Sequence, residues 1–170
     1  MSKVRLRYII CLLLLPGWSV ASALGPEWFG GKAPDFTLET IDGRAKLSLS
    51  DLRGQVVVVD FWATWCAPCK RYLPRLAELE IAHDGVRVLA VNIDDERRNA
   101  VEFLKRNRIH LTALFDEKKE VVEEYGVSAM PSAFVIDKRG VVRFVHTGYT
   151  DNEVEQIKNE VEDLLQEATI

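Results

Sequence analysis

The feature that most limits how this chain can fold is an apolar run that ends in a cysteine pair. Residues 56–62 read Val-Val-Val-Val-Asp-Phe-Trp, and Cys66-Ala67-Pro68-Cys69 follows after three more residues. A strand apolar at nearly every position has no polar face to offer solvent, so it belongs inside a sheet covered on both sides. Asp60 is the one acid in that run. A helix is expected from about Ala67 to His83, with a kink at Pro74.

Strand and helix patterns alternate around this unit. Phe36-Thr37-Leu38 and Leu47–Leu49, joined through a tight turn at Asp42-Gly43, predict a small N-terminal hairpin. Val86–Ile93 predicts a second buried strand. Asp94 or Asp95 is placed to cap the next helix, whose apolar positions include Ala100, Val101 and Leu104. Leu111–Phe115 reads as a strand, Glu117–Tyr125 as a short helix, and Gly126 as its cap. Phe134–Ile136, a turn over Asp137–Gly140 and Val141–Val145 form a closing hairpin. Thr150-x-x-Glu153 has capping-box spacing and opens a last helix, with Val154, Ile157, Val161, Leu164 and Leu165 on one face. The order implies an α/β fold with a mixed central sheet flanked by helices.

The first 23 residues differ from the rest. Lys3, Arg5 and Arg7 precede an apolar stretch from Tyr8 to Leu15, and Ala21-Ser22-Ala23 supplies small residues. That is the pattern of a secretory signal, or of an N-terminal membrane anchor over residues 8–24. Residues 24–34, rich in Gly and Pro, read as a linker or strap, and residues 35–170 as the folded domain. Removing residues 1–23 takes the formal charge from -4 to -7, because only cations leave. An acidic domain is not expected to bind nucleic acid. Hydrophobic residues at 48% suffice for a core in one domain of this length.

Cys11 falls in the leading segment, which leaves Cys66 and Cys69 as an even pair in an oxidising compartment. A bridge between them closes so small a loop that it removes little chain entropy. Such a bridge is better suited to turnover than to stabilisation. The first cysteine would lie at a helix N-terminus, where free N–H groups and the helix dipole favour a thiolate. Cys69, one turn on, can then displace a mixed disulfide. Pro68 suits a first helical turn because it has no N–H to lose. A zinc site needs four ligands, and no second cysteine pair exists. Haem attachment needs His where Lys70 stands. A static bridge remains the plainer alternative. His83, His110 and His146 are scattered and read as surface or hydrogen-bonded residues. Trp62 reads as core, and Trp65 as a cover for the disulfide.

Residues 60–70, Asp-Phe-Trp-Ala-Thr-Trp-Cys-Ala-Pro-Cys-Lys, resemble the active-site segment of thioredoxins. Over residues 33–167 the chain is similar to the TlpA/ResA-like exported thioredoxin-family proteins. Three stretches carry the likeness: Ala33-Pro34-Asp35-Phe36 with its hairpin, Leu49-Ser50-Asp51-Leu52-Arg53-Gly54, and the extra helix and strand between Ile93 and Gly126. The resemblance implies a thioredoxin-like fold and thiol–disulfide exchange, with Cys66 as nucleophile and Cys69 as the resolving thiol. It implies that Asp60 accepts and delivers a proton, and that Met130-Pro131 is a cis-proline loop. Substrate would contact Trp65, Ala67, Pro68, Met130 and Pro131.

It further implies protein disulfides as substrates, a membrane thiol reductase of the DsbD/CcdA type as electron donor, a monomer, and an envelope or periplasmic location. No cofactor or metal is implied. Ala67-Pro68 resembles the Gly-Pro of reducing thioredoxins. Tyr72 departs from the many members with Glu three residues after the second Cys, which use it in apocytochrome c reduction. That role is therefore the alternative, and Asp60 the acid left for proton handling. Peroxiredoxins need Pro and Thr where Val59 and Ala63 stand. Copper-handling Sco-like proteins use three intervening residues between their cysteines and a distant His, for which His146 is a poor match.

Overall fold

A computed structural model describes residues 29–167. The expected leading signal or anchor lies outside the described residues. Among those described, no helix is long and apolar enough to cross a membrane.

Seven strands form one mixed sheet: β1 (Thr37–Thr40), β2 (Lys46–Ser48), β3 (Val56–Trp62), β4 (Val86–Asn92), β5 (Thr112–Phe115), β6 (Ser132–Ile136) and β7 (Val142–Thr147). Their spatial order is β2-β1-β5-β4-β3-β6-β7. β3 pairs parallel with β4 and antiparallel with β6, so the apolar run is interior to the sheet. All seven of its residues are buried. Among the described residues four α-helices flank it: α1 (Cys69–Ala82), α2 (Arg97–Asn107), α3 (Glu120–Glu124) and α4 (Glu153–Gln166).

The alternation of β3 divides the core. Val57, Val59 and Phe61 face Phe36, Leu49, Leu52, Val121, Tyr125 and Phe134, beneath the N-terminal hairpin and α3. Val56 and Val58 face Tyr72, Leu76, Leu79, Ile157, Val161 and Leu164 of α1 and α4. Trp62 lies on this second face with Cys69, Leu73, Ala90, Ala100 and Leu104, under α1 and α2. Burial of whole hydrophobic side chains at roughly 1.5–3 kcal/mol each makes these layers the main source of stability.

The segment expected as linker or strap is, from residue 29, a strap. Gly30 N–H donates to Val142 O at 2.9 Å, and Ala33 N–H to Gly140 O at 2.9 Å. It lies along the outer edge of β7.

Several helix limits differ from the sequence reading. α1 starts at Cys69, because residues 66–68 form a turn in which Cys69 N–H donates to Cys66 O. It continues through Pro74. α3 is shorter than Glu117–Tyr125, since Lys119 takes a left-handed φ of 61° and Asp116 accepts the Val122 N–H at 2.9 Å. Neither Asp94 nor Asp95 caps α2: Glu96 holds that position, and Asp94 is buried elsewhere. Val101 is exposed. α4 is capped at Asn152, and only the acidic half of the capping box forms, with Thr150 N–H donating to Glu153 Oε2 at 2.9 Å.

Gly140 has φ +80°, and a Cβ there would collide with the Arg53 guanidinium. The guanidinium can swing aside, so Gly140→Ala is expected to lower stability by roughly 1–3 kcal/mol through the left-handed backbone strain alone. A denaturant midpoint equal to that of the unsubstituted protein would contradict this.

Candidate active site

The chain leaves β3 at Trp62 and must turn before α1 can start. Asp94 shapes that turn. Its carboxylate accepts the Thr64 N–H at 3.1 Å, the Thr64 hydroxyl at 3.0 Å and the Asn92 side-chain amide at 3.0 Å. Asp94 N–H in turn donates to Asn92 Oδ1. A buried carboxylate with several donors is stable, and each bond to it is worth more than a neutral one. It thereby ties the residues just before Trp65-Cys66 to the end of β4. Local sequence marks Asp94 only as a candidate helix cap, and nothing near it signals the bond to Thr64.

Cys66 and Cys69 form a disulfide with Cα atoms 5.4 Å apart. The two sulfurs sit in different surroundings. Cys69 is fully enclosed, whereas Cys66 is 5% exposed and lines an open groove. Cys69 N–H points at Cys66 Sγ, 3.3 Å away. That N–H belongs to the first residue of α1 and is shared with Cys66 O, so the helix start turns one donor toward the outer sulfur.

The groove has a volume of about 420 Å³. Trp65, Cys66, Ala67 and Pro68 form one wall, and Ile93, Val127 and Met130 the other. Trp65 is 67% exposed despite its size. The Met130–Pro131 peptide is cis. Of the expected contact residues, Trp65, Ala67, Pro68 and Met130 line the groove, while Pro131 is buried behind it. Ser132 Oγ–H donates to Ala129 O at 2.7 Å, and Gly148 N–H to Pro131 O at 2.8 Å, which hold that loop against β7.

Asp60 lies on the α1 face of β3, fully buried, with neither carboxylate oxygen hydrogen-bonded. Its strand neighbours are Ala90 and Ala133, which offer no side-chain donor. Desolvation, and then the charge of Glu153, hold its carboxyl well above the usual carboxylate range. Asp60 sits under the first turns of α1. Tyr72 feels its charge, and Cys69 packs with Trp62 and Ala90, the residues next to Asp60 on that face. Tyr72 is buried, and burial pushes its phenol far up. Trp62 Nε1 is also buried without a partner.

The three histidines do not converge on the cysteines. His83 Nε2 is 3.1 Å from Glu162 Oε1, and His110 is exposed. His146 lies between Glu153 and Glu160. Glu153 was read from the sequence only as part of a cap, and no local signal marks its approach to Asp60. Among the described residues no group of His, Cys, Asp and Glu is arranged to hold a metal ion.

The raised Asp60 carboxyl has a consequence for stability. In the unfolded chain Asp60 loses its proton near about pH 4. The folded protein keeps that proton to higher pH, so stability falls as pH rises from there until Asp60 ionises in the folded state. Asp60→Asn is expected to remove this slope. At pH 8 the oxidised variant should be more stable by on the order of 2 kcal/mol, a fraction of what burying an unpaired ion costs. Urea unfolding at pH 5 and pH 8 checks this, and an equal or larger loss of stability at pH 8 would contradict it.

The profile of the AhpC/TSA family matches residues 29–145. Thiol-disulfide oxidoreductase ResA of Geobacillus thermodenitrificans is 35% identical over 170 residues, spanning 95% of this chain and 96% of that protein. Its namesake in Bacillus subtilis is 32% identical, spanning 85% and 84%. A solved Chlorobium tepidum structure, provisionally described as a thiol:disulfide interchange protein DsbE, superposes with a TM-score of 0.76. It is 36% identical and covers 81% of this chain and 97% of its own.

Proposed function

We propose that this chain, which belongs to the AhpC/TSA family and within it to the ResA-like thiol–disulfide oxidoreductases, reduces disulfides of exported proteins at Cys66 and Cys69. The observation that carries this reading is the asymmetry of the two sulfurs. Cys66 lines an open apolar groove, whereas Cys69 is fully buried and packs with Trp62 and Ala90, the neighbours of the unpartnered Asp60. An incoming disulfide can reach only the first.

In the reduced protein the Cys66 thiolate attacks a client disulfide. One client sulfur leaves as thiolate, and the other is held in a mixed disulfide with Cys66. Asp60 takes the proton of Cys69. The Cys69 thiolate then attacks Cys66 Sγ and expels the second client thiolate. Two electrons pass to the client, and the Cys66–Cys69 disulfide remains. Asp60 suits this task because burial holds its carboxyl above the usual carboxylate range, which makes it a stronger proton acceptor than an exposed aspartate. Asp60 and Cys69 then titrate as a coupled pair.

Trp65, Ala67, Pro68 and Met130 form the client surface. An extended client segment would lie along the Met130-Pro131 loop and pair with its backbone. Ala67-Pro68 supports a reductant over an oxidant. A membrane thiol reductase of the DsbD/CcdA type would restore the dithiol, and the leading residues 1–23 would place a monomeric enzyme in the envelope. Tyr72, buried where a carboxylate serves apocytochrome c reduction, supports a general client range. Val59 and Ala63, in place of the peroxidase Pro and Thr, disfavour peroxide chemistry.

Two variants test the assignment. Cys69→Ser is expected to accumulate a mixed disulfide through Cys66 with a model client such as insulin, and Cys66→Ser to accumulate none. Asp60→Asn is expected to slow insulin reduction roughly 100-fold or more near neutral pH, from the lower end of the range of general acid–base assistance upward. Trapping through Cys69 in Cys66→Ser would reverse the cysteine roles. Unchanged Asp60→Asn rates at every pH would remove the acid–base role.

A further inference from the structure

Asp60 is one end of a row that runs to the edge of the sheet. Asp60 pairs with Ala133 on β6, and Ala133 pairs with His146 on β7. The small side chain of Ala133 leaves the space between the acid and the histidine to α4. Glu153, the first residue of α4, lies against His146 at the end of the row. Glu153 is buried, with Oε2 held by the Thr150 N–H at 2.9 Å and Oε1 3.5 Å from His146 Nδ1. The other ring nitrogen, Nε2, is 2.8 Å from Glu160 Oε2. Glu160 is 21% exposed along its side chain and reaches solvent.

A buried glutamate at a helix start needs only the cap bond to explain it. Here it also carries its charge toward Asp60 and Tyr72. The groups facing Asp60 come from each element packed on that side. α1 gives Cys69 and Tyr72, α4 gives Glu153, and β7 gives His146 at the end of the row. β4 and β6 give only Ala90 and Ala133. No lysine or arginine is among these groups, so the histidine is the one cation-forming side chain in the row.

We propose that Glu153 and His146 are positioning residues for thiol exchange, the charge of His146 deciding whether Glu153 opposes the ionisation of Asp60. This rests on the role of Asp60 proposed above. A charged imidazole donates from both nitrogens, so it satisfies Glu153 and Glu160 together. The Glu153 charge is then compensated, and Asp60 ionises against less resistance. A neutral ring donates from one nitrogen only. Glu153 then faces Asp60 as an uncompensated anion, and two neighbouring carboxylates resist ionising together.

The experiment is a carbon-13 NMR titration of the Asp60 carboxyl in the reduced protein labelled at aspartate, the signal assigned by its loss in Asp60→Asn. Insulin-reduction rates are followed over the same pH range. Glu153→Gln keeps an oxygen for the Thr150 N–H and removes the charge. It should lower the Asp60 midpoint by about half a pH unit or more and shift the rate profile with it. His146→Gln leaves Glu153 uncompensated and should raise the midpoint. Opposite shifts separate charge coupling from a packing defect, which would move both variants the same way. An unmoved midpoint in either variant, or shifts of one sign in both, overturns the proposal. If the midpoints move as expected but Asp60→Asn leaves the rates unchanged, the role of Asp60 in exchange fails instead. If Asp60→Asn slows exchange while the midpoints stay fixed, only the part played by Glu153 and His146 fails.

Discussion

The carboxyl of Asp60, enclosed in β3 with no hydrogen bond to either oxygen, is the constraint on which the site depends. An unpartnered buried polar group costs roughly 1–3 kcal/mol, and more if charged. A fold carries that cost only if the rest of the core offsets it, and here two apolar layers do so. The same strand that buries the acid delivers the chain, four residues on, to Cys66. Strand, turn and helix start therefore fix the acid, the disulfide and the groove relative to one another. Asp94 secures the turn by joining Thr64 to the end of β4.

The two faces of the sheet divide the work. One is packed with Phe61, Tyr125 and Phe134, whose ring centroids lie 4.9–5.8 Å apart, Phe134 edge to face with the other two. That face is structural and carries the N-terminal hairpin. The other holds Cys69, Asp60, Tyr72, Glu153 and His146 between the sheet and α1 and α4. Its polar groups are few, and the helices that cover them also exclude water. A low-dielectric environment of this kind strengthens each electrostatic interaction inside it.

Much of this was legible in the sequence, for identifiable reasons. The run 56–62 could be placed because a strand buried on both faces leaves a continuous apolar signature, and Asp60 stood out against it. The hairpins were marked by Asp42-Gly43 and by Asp137–Gly140. The face of α4 followed from Val154, Ile157, Val161 and Leu164 at helical spacing. What could not be read was long-range. Asp94 looked like a cap because its partner, Thr64, lies thirty residues back across the sheet. Glu153 looked like half of a capping box, and it is one, but its second contact depends on β7 reaching the sheet edge beside β6. The 24–34 segment looked like a linker or strap, and composition alone could not show that Gly30 and Ala33 bond to the β7 end of the sheet.

The central claim is that the Cys66–Cys69 pair works as a reductant. The reduction potential of that pair, equilibrated in glutathione or dithiothreitol redox buffers, tests it most directly. The account predicts a value near or below about -250 mV, in the range of reducing thioredoxins. A value near about -120 mV, where strong disulfide donors lie, would contradict it and reverse the direction of electron flow.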